Sequence, residues 1–273
     1  MNDLSLYERV PLLDNSFSVK VMSFDRSHNL LPHWHENIEL LYFYSGKCRC
    51  TVNGSSFDVA AGDLVIANST EIHSFDAKER VRYECILLFP AFFSDVEFPS
   101  VILKNRVRGD GFVRECIEKM KAERESYTEG SDMMIKSHAY ALMAYLLRCY
   151  TDERLTPEKY GERGARKRKI NEILEYVSSH YSEKISTARL AEACYMSEEH
   201  FCRLFKRTVG KTVTGFLTEY RIEKASVLLR RTDESVTAVA DSVGFDDVNY
   251  FSRSFKRIKG VTPSEYRRVK RGI

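Results

Sequence analysis

Three imidazoles and a carboxylate stand close together early in the sequence: His33, His35 and Glu39 in LLPHWHENIEL, and His73 in STEIHSF. The first three carry odd numbers, so on one continuous strand they point to the same face. Such a donor set suits iron, manganese or zinc. The same groups can line a pocket for a small organic molecule, or simply tie strand ends and turns together. A second pattern comes twice. HFCRLFKR, residues 200–207, is nearly repeated as YFSRSFKR, residues 250–257. Each copy runs on to a glycine, Gly210 and Gly260, and Glu-Tyr-Arg follows at 219–221 and 265–267. Arginine and lysine beside buried aromatics are the residue types that meet phosphates and base edges.

Residues 17–98 read as short alternating strands broken at Ser45-Gly46, Asn53-Gly54 and Ala61-Gly62-Asp63. This predicts a β-sandwich or small barrel, with a hairpin at Asn53-Gly54. Residues 112–127 and 132–150 switch to helical period, and the second carries apolar Met134, Ala141, Met143, Tyr145, Leu146 and Leu147. That pair of helices serves as a lid on the strands or as a dimer interface. Within TDERLTPEKYGERGARKRK, a proline, two glycines and a basic run predict a linker. The expected organisation is a first domain at 1–155, a linker at 156–169 and a second domain at 170–273.

The repeat becomes specific on alignment. Residues 187–193 form a short amphipathic helix with Leu190 and Ala191 inward, Cys194-Tyr195-Met196 makes a turn, and Ser197 is an N-cap. The next helix buries Phe201, Leu204 and Phe205. In the second copy Val236–Val243 is the short helix, Gly244-Phe245 the turn and Asp246 the expected N-cap, with Phe251 and Phe255 buried. This is a helix-turn-helix, twice. Outward positions are Glu199, Cys202, Arg203 and Lys206, then Asn249, Ser252, Arg253 and Lys256. Arginine bonds guanine bidentately, asparagine does so for adenine, and Glu199 can accept from a cytosine amino group. Lys206, Arg207, Lys256 and Arg257, near the helix ends, are placed to hold phosphates. Acidic Glu198, Glu199, Asp246 and Asp247 suit the positive ends of helices.

Residues 170–270 resemble the DNA-binding domain of AraC/XylS-type transcriptional regulators. The resemblance is carried by LAEACYMSEEHFCRLFKRTVG, FLTEYRIEKASVLL and VADSVGFDDVNYFSRSFKRIKGVTPSEYRR. It implies two helix-turn-helix units joined by a rigid helix near 213–231, both entering successive major grooves. The implied base-contacting residues are Glu199, Cys202, Arg203, Asn249, Ser252 and Arg253, with Cys202 a departure from the usual polar residue. In the first half, H-x-H-x3-E-x6-G is similar to the first cupin motif. Val65 stands where a further histidine ligand is expected, and His73 comes eight residues later. The P-H-W-H…E-L-L…G-D-L…E-I-H-S pattern also resembles the sensing domain of the same regulators. The expected fold is therefore α+β and two-domain: an N-terminal cupin-like β-barrel with appended helices, then an all-α double helix-turn-helix domain.

Charge supports the division. Residues 1–160 hold 19 Lys/Arg against 24 Asp/Glu, net −5, and residues 161–273 hold 23 against 15, net +8, which together give the overall +3. Only the basic half is suited to a polyanion. The seven cysteines include no C-x-x-C pair, which argues against a zinc knuckle or a thioredoxin-like site. No signal-peptide pattern or apolar run of spanning length occurs, so a cytoplasmic protein without a membrane segment is expected. Gly-rich phosphate loops, G-x-S-x-G and H-E-x-x-H are absent, and with them any support for nucleotide or serine hydrolysis. His28, His138 and His180 lack partners at useful spacing. The sequence thus predicts an effector-responsive transcriptional activator, no enzyme and no cofactor, with partners double-stranded DNA, RNA polymerase, a small effector and a second copy of itself. Its effector site is expected at His33, His35, Glu39 and His73. The alternative is a cupin-type metal-dependent dioxygenase or isomerase.

Overall fold

A computed structural model describes residues 18–26, 29–77, 79–94 and 100–271. Within them the chain forms two compact units, one inside residues 7–169 and one inside 170–273. The first unit begins with β1 (Val19–Arg26), β2 (Leu30–His33), β3 (Ile38–Ser45), β4 (Cys48–Val52), β5 (Ser55–Val59), β6 (Asp63–Ala67), β7 (His73–Asp76) and β8 (Val81–Leu88). Strands β9 (Val101–Leu103) and β10 (Arg106–Arg108) lead into α1 (Gly111–Glu125) and α2 (Ser131–Cys149), and β11 (Thr151–Arg154) pairs back with β9. At the β4–β5 hairpin, Asn53 and Gly54 both take positive φ, 46° and 79°. Two such residues in succession make the turn whose twist matches its strands.

The strands make a five-stranded sheet in the order β1-β8-β3-β6-β10 and a four-stranded sheet in the order β2-β7-β4-β5, besides the β9–β11 pair. Both larger sheets are open, and no described strand pairs across from one to the other. The expected cupin-like barrel is therefore incorrect. Short strands with frequent turns are common to sandwiches and barrels, and closure depends on pairing between edges, which alternation does not encode.

Packing explains why β3, IELLYFYS, is apolar almost throughout. Ile38, Leu40 and Tyr42 point to one face, where they pack with Val113, Ile117 and Met120 of α1 and Ile135, Leu142 and Leu146 of α2. Leu41 and Phe43 point to the other, where they meet Cys50, Val52 and Phe75 of the four-stranded sheet. Burial on both faces removes the polar alternation of a half-exposed strand. Asp110 caps α1 by accepting from the Val113 backbone N–H, and also accepts from the hydroxyls of Tyr145 and Tyr150. Met134 and Ala141, expected on the apolar face of α2, are exposed; Ile135, Ala139 and Leu142 are buried there instead.

Helix α3 (Pro157–Ser179) follows, and from residue 170 onward it belongs to the second unit, which is helical: α4 (Thr187–Ala193), α5 (Glu198–Val209), α6 (Val213–Arg231), α7 (Val236–Ser242), α8 (Val248–Lys259) and α9 (Pro263–Arg271). The segment read as a linker, 156–169, lies mostly within α3. Helix α6 buries Phe216, Leu217 and Tyr220 in its first half, where Phe216 meets Phe205 of α5 at 6.0 Å between ring centroids. Its second half contributes Ile222, Ala225 and Leu229 to a core with Val239, Phe251 and Phe255. The Thr-x-x-Glu of the closing motif is a reciprocal cap: Glu265 Oε2 accepts from the Thr262 N–H at 2.8 Å, and Thr262 Oγ1 from the Glu265 N–H at 3.3 Å. The repeated Glu-Tyr-Arg is structural too. Arg221 donates to the carbonyls of Tyr181 and Glu183, and Arg267 to that of Glu234.

Candidate functional site

Both helix-turn-helix units are built alike. Helices α4 and α7 end in the same bonding pattern, with Met196 N–H donating to Ala191 O and Phe245 N–H to Ala240 O, each at 3.0 Å. That closure requires a left-handed residue, which is Tyr195 (φ 55°) in the first unit and Gly244 (φ 88°) in the second. Ser197 caps α5, its hydroxyl accepting from the His200 N–H. Asp247 caps α8, accepting from the N–H groups of Asn249 and Tyr250. The expected cap, Asp246, instead lies 3.5 Å from Lys184 on the surface. The cause is a turn one residue longer in the second unit: α7 starts 49 residues after α4, while α8 starts 50 after α5.

Helices α5 and α8 each bury one stripe, Phe201, Phe205 and Val209 in one and Phe251, Ser254 and Phe255 in the other. Each ends in a left-handed glycine, Gly210 or Gly260. Glu199, Cys202, Arg203, Lys206 and Arg207 of α5 are exposed, as are Asn249, Arg253, Lys256 and Arg257 of α8; Ser252 is half-buried. Arg203 is held by Glu199 at 2.9 Å, one turn earlier on the same helix. Asn249 stands at the matching place before Arg253, so the two outward arginines differ in local charge.

In the first unit the structure brings His33, His35, Glu39 and His73 together, all at least 95% buried. They do not share one strand. His33 ends β2, His35 lies in the connection after it, and Glu39 is in β3. The chain turns between His35 and Ile38, which carries Glu39 into the five-stranded sheet while His33 and His73 face each other across β2 and β7. One donor atom from each of the four lies within 4.8 Å of the others. Each imidazole Nδ1 meets a backbone carbonyl: His33 that of Leu31 at 3.0 Å, His35 that of Asn37 at 3.1 Å and His73 that of Glu71 at 2.9 Å. Glu39 Oε2 is 2.6 Å from His73 Nε2 and 3.5 Å from His35 Nε2, and its Oε1 accepts from the Cys85 thiol at 3.0 Å.

Burial, reinforced by the charge of His73, holds the His33 imidazole down at about 3, against the pull of Glu39. Burial alone pushes the Glu39 carboxyl up, but His73 and His35 outweigh it and leave it well below the usual range. Cys85 and the three carbonyls escaped the sequence reading, since their positions follow from pairing rather than spacing. Trp34 is buried. His180 stacks on Tyr176 at 4.2 Å; His28 lies outside the described residues.

Comparison with known proteins completes the picture. Residues 25–143 match the family described as AraC-like ligand binding domain, and residues 190–269 the family described as helix-turn-helix domain. The chain is a sequence-specific DNA-binding transcriptional regulator, similar in both parts to those of the AraC type. Similar proteins include the HTH-type transcriptional regulator YdeC of Bacillus subtilis (strain 168), 24% identical over 87% of this chain and 86% of that one. The HTH-type transcriptional activator RhaS of Escherichia fergusonii is 24% identical over 86% of each. Among solved structures, apo ToxT from Vibrio cholerae shares the fold, with a TM-score of 0.50 at 15% identity over 93% of this chain and 98% of that one. The dioxygenase alternative rested on a closed barrel, and the sheets are open. No helix among the described residues is long and apolar enough to cross a membrane.

Proposed function

We propose that α5 and α8 are the recognition helices of this regulator and enter successive major grooves on one side of the duplex. The observation that supports this is the repeated frame: two capped, glycine-ended helices, each burying an aromatic stripe and turning Arg and Lys outward. In this reading Glu199, Cys202, Arg203, Asn249, Ser252 and Arg253 face base edges. Lys206, Arg207, Lys256 and Arg257 hold phosphates. Helix α6 sets the separation. Its 19 residues span about 28 Å at 1.5 Å per residue. That is of the order of one turn of DNA, roughly 34 Å.

The two domains divide at the segment 156–169. Residues 1–155 sense an effector, with His33, His35, Glu39 and His73 at the polar centre of the site, and dimerise through the outer faces of α1 and α2. An effector that favours one arrangement of the chain shifts how the recognition helices are presented. The likeness to an activator supports activation, through contact with RNA polymerase. Selection from a pool of random duplexes with the full-length protein tests the DNA reading. Two enriched boxes about one helical turn apart are expected. Failure to enrich any sequence, by the full chain and by residues 165–273 alike, would remove it.

A further inference from the structure

We propose that His33, His35, Glu39 and His73 form a four-ligand site for a divalent first-row transition-metal ion, set between the two sheets of the first unit. This deepens the reading of these residues as the polar centre of the sensing domain, and it is independent of how the helices read DNA.

The donor chemistry carries it. A carbonyl oxygen only accepts, so each imidazole that meets one through Nδ1 carries its proton there. Nε2 is then the ring nitrogen turned to the centre, where a metal ion takes the place of any proton it carries. His35 and His73 turn that nitrogen toward the same oxygen of Glu39, at 3.5 and 2.6 Å. The His33 ring lies against that of His73, 4.1 Å between centroids. Three imidazoles and a carboxylate are thus gathered at one buried point, one donor atom of each within 4.8 Å of the others. A divalent ion there would take one electron pair from each group. Three imidazole nitrogens and one carboxylate oxygen suit zinc and its neighbours.

The surroundings are those of a ligated site. Histidine ligands characteristically donate their second ring N–H to a carbonyl or carboxylate, which fixes ring orientation. All three do so here. The Cys85 thiol occupies the other oxygen of Glu39 and leaves Oε2 for the centre. The separation of at most 4.8 Å among the donor atoms exceeds the ~3.4 Å edge of a tetrahedron with bonds of about 2.1 Å. Side-chain adjustments of about 1 Å close the difference. With four protein ligands the site is coordinatively filled, which fits a regulator better than a catalyst. His33 and His73 come from the four-stranded sheet and Glu39 from the five-stranded one, so the ion would rivet the sheets together.

The test uses tag-free, full-length protein, stripped with a chelator and titrated with Zn(II), and with Co(II) for its visible d–d bands. About one equivalent of either should be retained through gel filtration. Co(II) should show tetrahedral absorption, and thermal unfolding of the first unit should rise by roughly 5–10 °C at a metal concentration about 100-fold above Kd. Loss of an outer-shell partner typically costs 10–100-fold in affinity. Glu39→Gln, which keeps side-chain volume, should therefore cost about 100-fold or more. The Co(II) spectrum needs no variant and decides the question even if Glu39→Gln fails to fold. Folded wild-type protein that takes up neither metal overturns the proposal. Uptake unchanged in a folded Glu39→Gln variant overturns it too, since the ion would then sit elsewhere. Metal content is measured without DNA and duplex selection is run separately, so failure of either leaves the other standing.

Discussion

Gly244 and Gly260 provide a matched pair of substitutions in which backbone conformation and steric overlap separate. Both have positive φ, 88° and 81°, and both close helices of the second helix-turn-helix. A Cβ on Gly260 would meet nothing within 4 Å. A Cβ on Gly244 would lie 2.6 Å from the Ser182 carbonyl oxygen and 2.9 Å from Arg221 Nη2. Gly260→Ala should thus cost only the left-handed penalty, about 1–2 kcal/mol. Gly244→Ala adds an overlap with backbone that Arg221 holds in place, through its bonds to the carbonyls of Tyr181 and Glu183. A further ~1–3 kcal/mol is expected, in the range of overpacked cores. Urea unfolding followed by far-ultraviolet circular dichroism reads the helical unit, while fluorescence of Trp34, the single tryptophan, reads the first unit. The dichroism midpoint should fall for both variants and further for Gly244→Ala, with the Trp34 transition unmoved. Equal losses for the two alanines would refute the overlap argument.

Other expectations are simpler. Arg253→Ala should cost about 1–3 kcal/mol at the selected site and relax preference at one base position, whereas Lys256→Ala should weaken binding to all sequences alike, both read by competition binding at fixed salt. Unchanged preference in Arg253→Ala would displace α8 from the groove. Asp247→Ala should destabilise the helical unit by about 0.5–2 kcal/mol through loss of the α8 cap, and Asp246→Ala should not. The Asp110 carboxyl is opposed by burial but held below its ordinary 3.8 by the Val113 N–H and the hydroxyls of Tyr150 and Tyr145. Its stabilisation is therefore present above the unfolded value and lost as pH falls through the lower folded value. Asp110→Asn should flatten that acid limb in pH-dependent unfolding of the first unit; an unchanged limb would exclude Asp110 as its source.

What could be read in advance followed from local periodicity. The helix-turn-helix pairs were legible because Phe201 and Phe205, and Phe251 and Phe255, repeat at helical spacing beside cap and glycine signals. The Asp246 expectation missed because one extra turn residue shifts the cap without disturbing the helix that follows. In the first half, Asn53-Gly54 announced its hairpin, whereas the open sheets did not announce themselves, since which edges pair is a long-range matter. His33, His35 and Glu39 were grouped for an incorrect reason, a single strand; the bend at 35–37 and the β2–β7 pairing are what gather them. Cys85 was hidden because it reaches Glu39 from β8, 46 residues away in sequence.

Helix α6 has a consequence for how such a protein can change over time. Its two halves are anchored in different cores, Phe216 and Tyr220 in one and Ile222 and Leu229 in the other. Inserting one residue between them would rotate one core against the other by about 100° and advance it by about 1.5 Å. The angular phase of α8 relative to α5 would be lost, though every side chain facing DNA stayed the same. Substitutions on α5 or α8 can alter which bases are preferred one position at a time. If α5 and α8 read DNA as proposed, the spacing between the two boxes is locked to the length of α6, and operators of this protein can drift in letters far more readily than in gap.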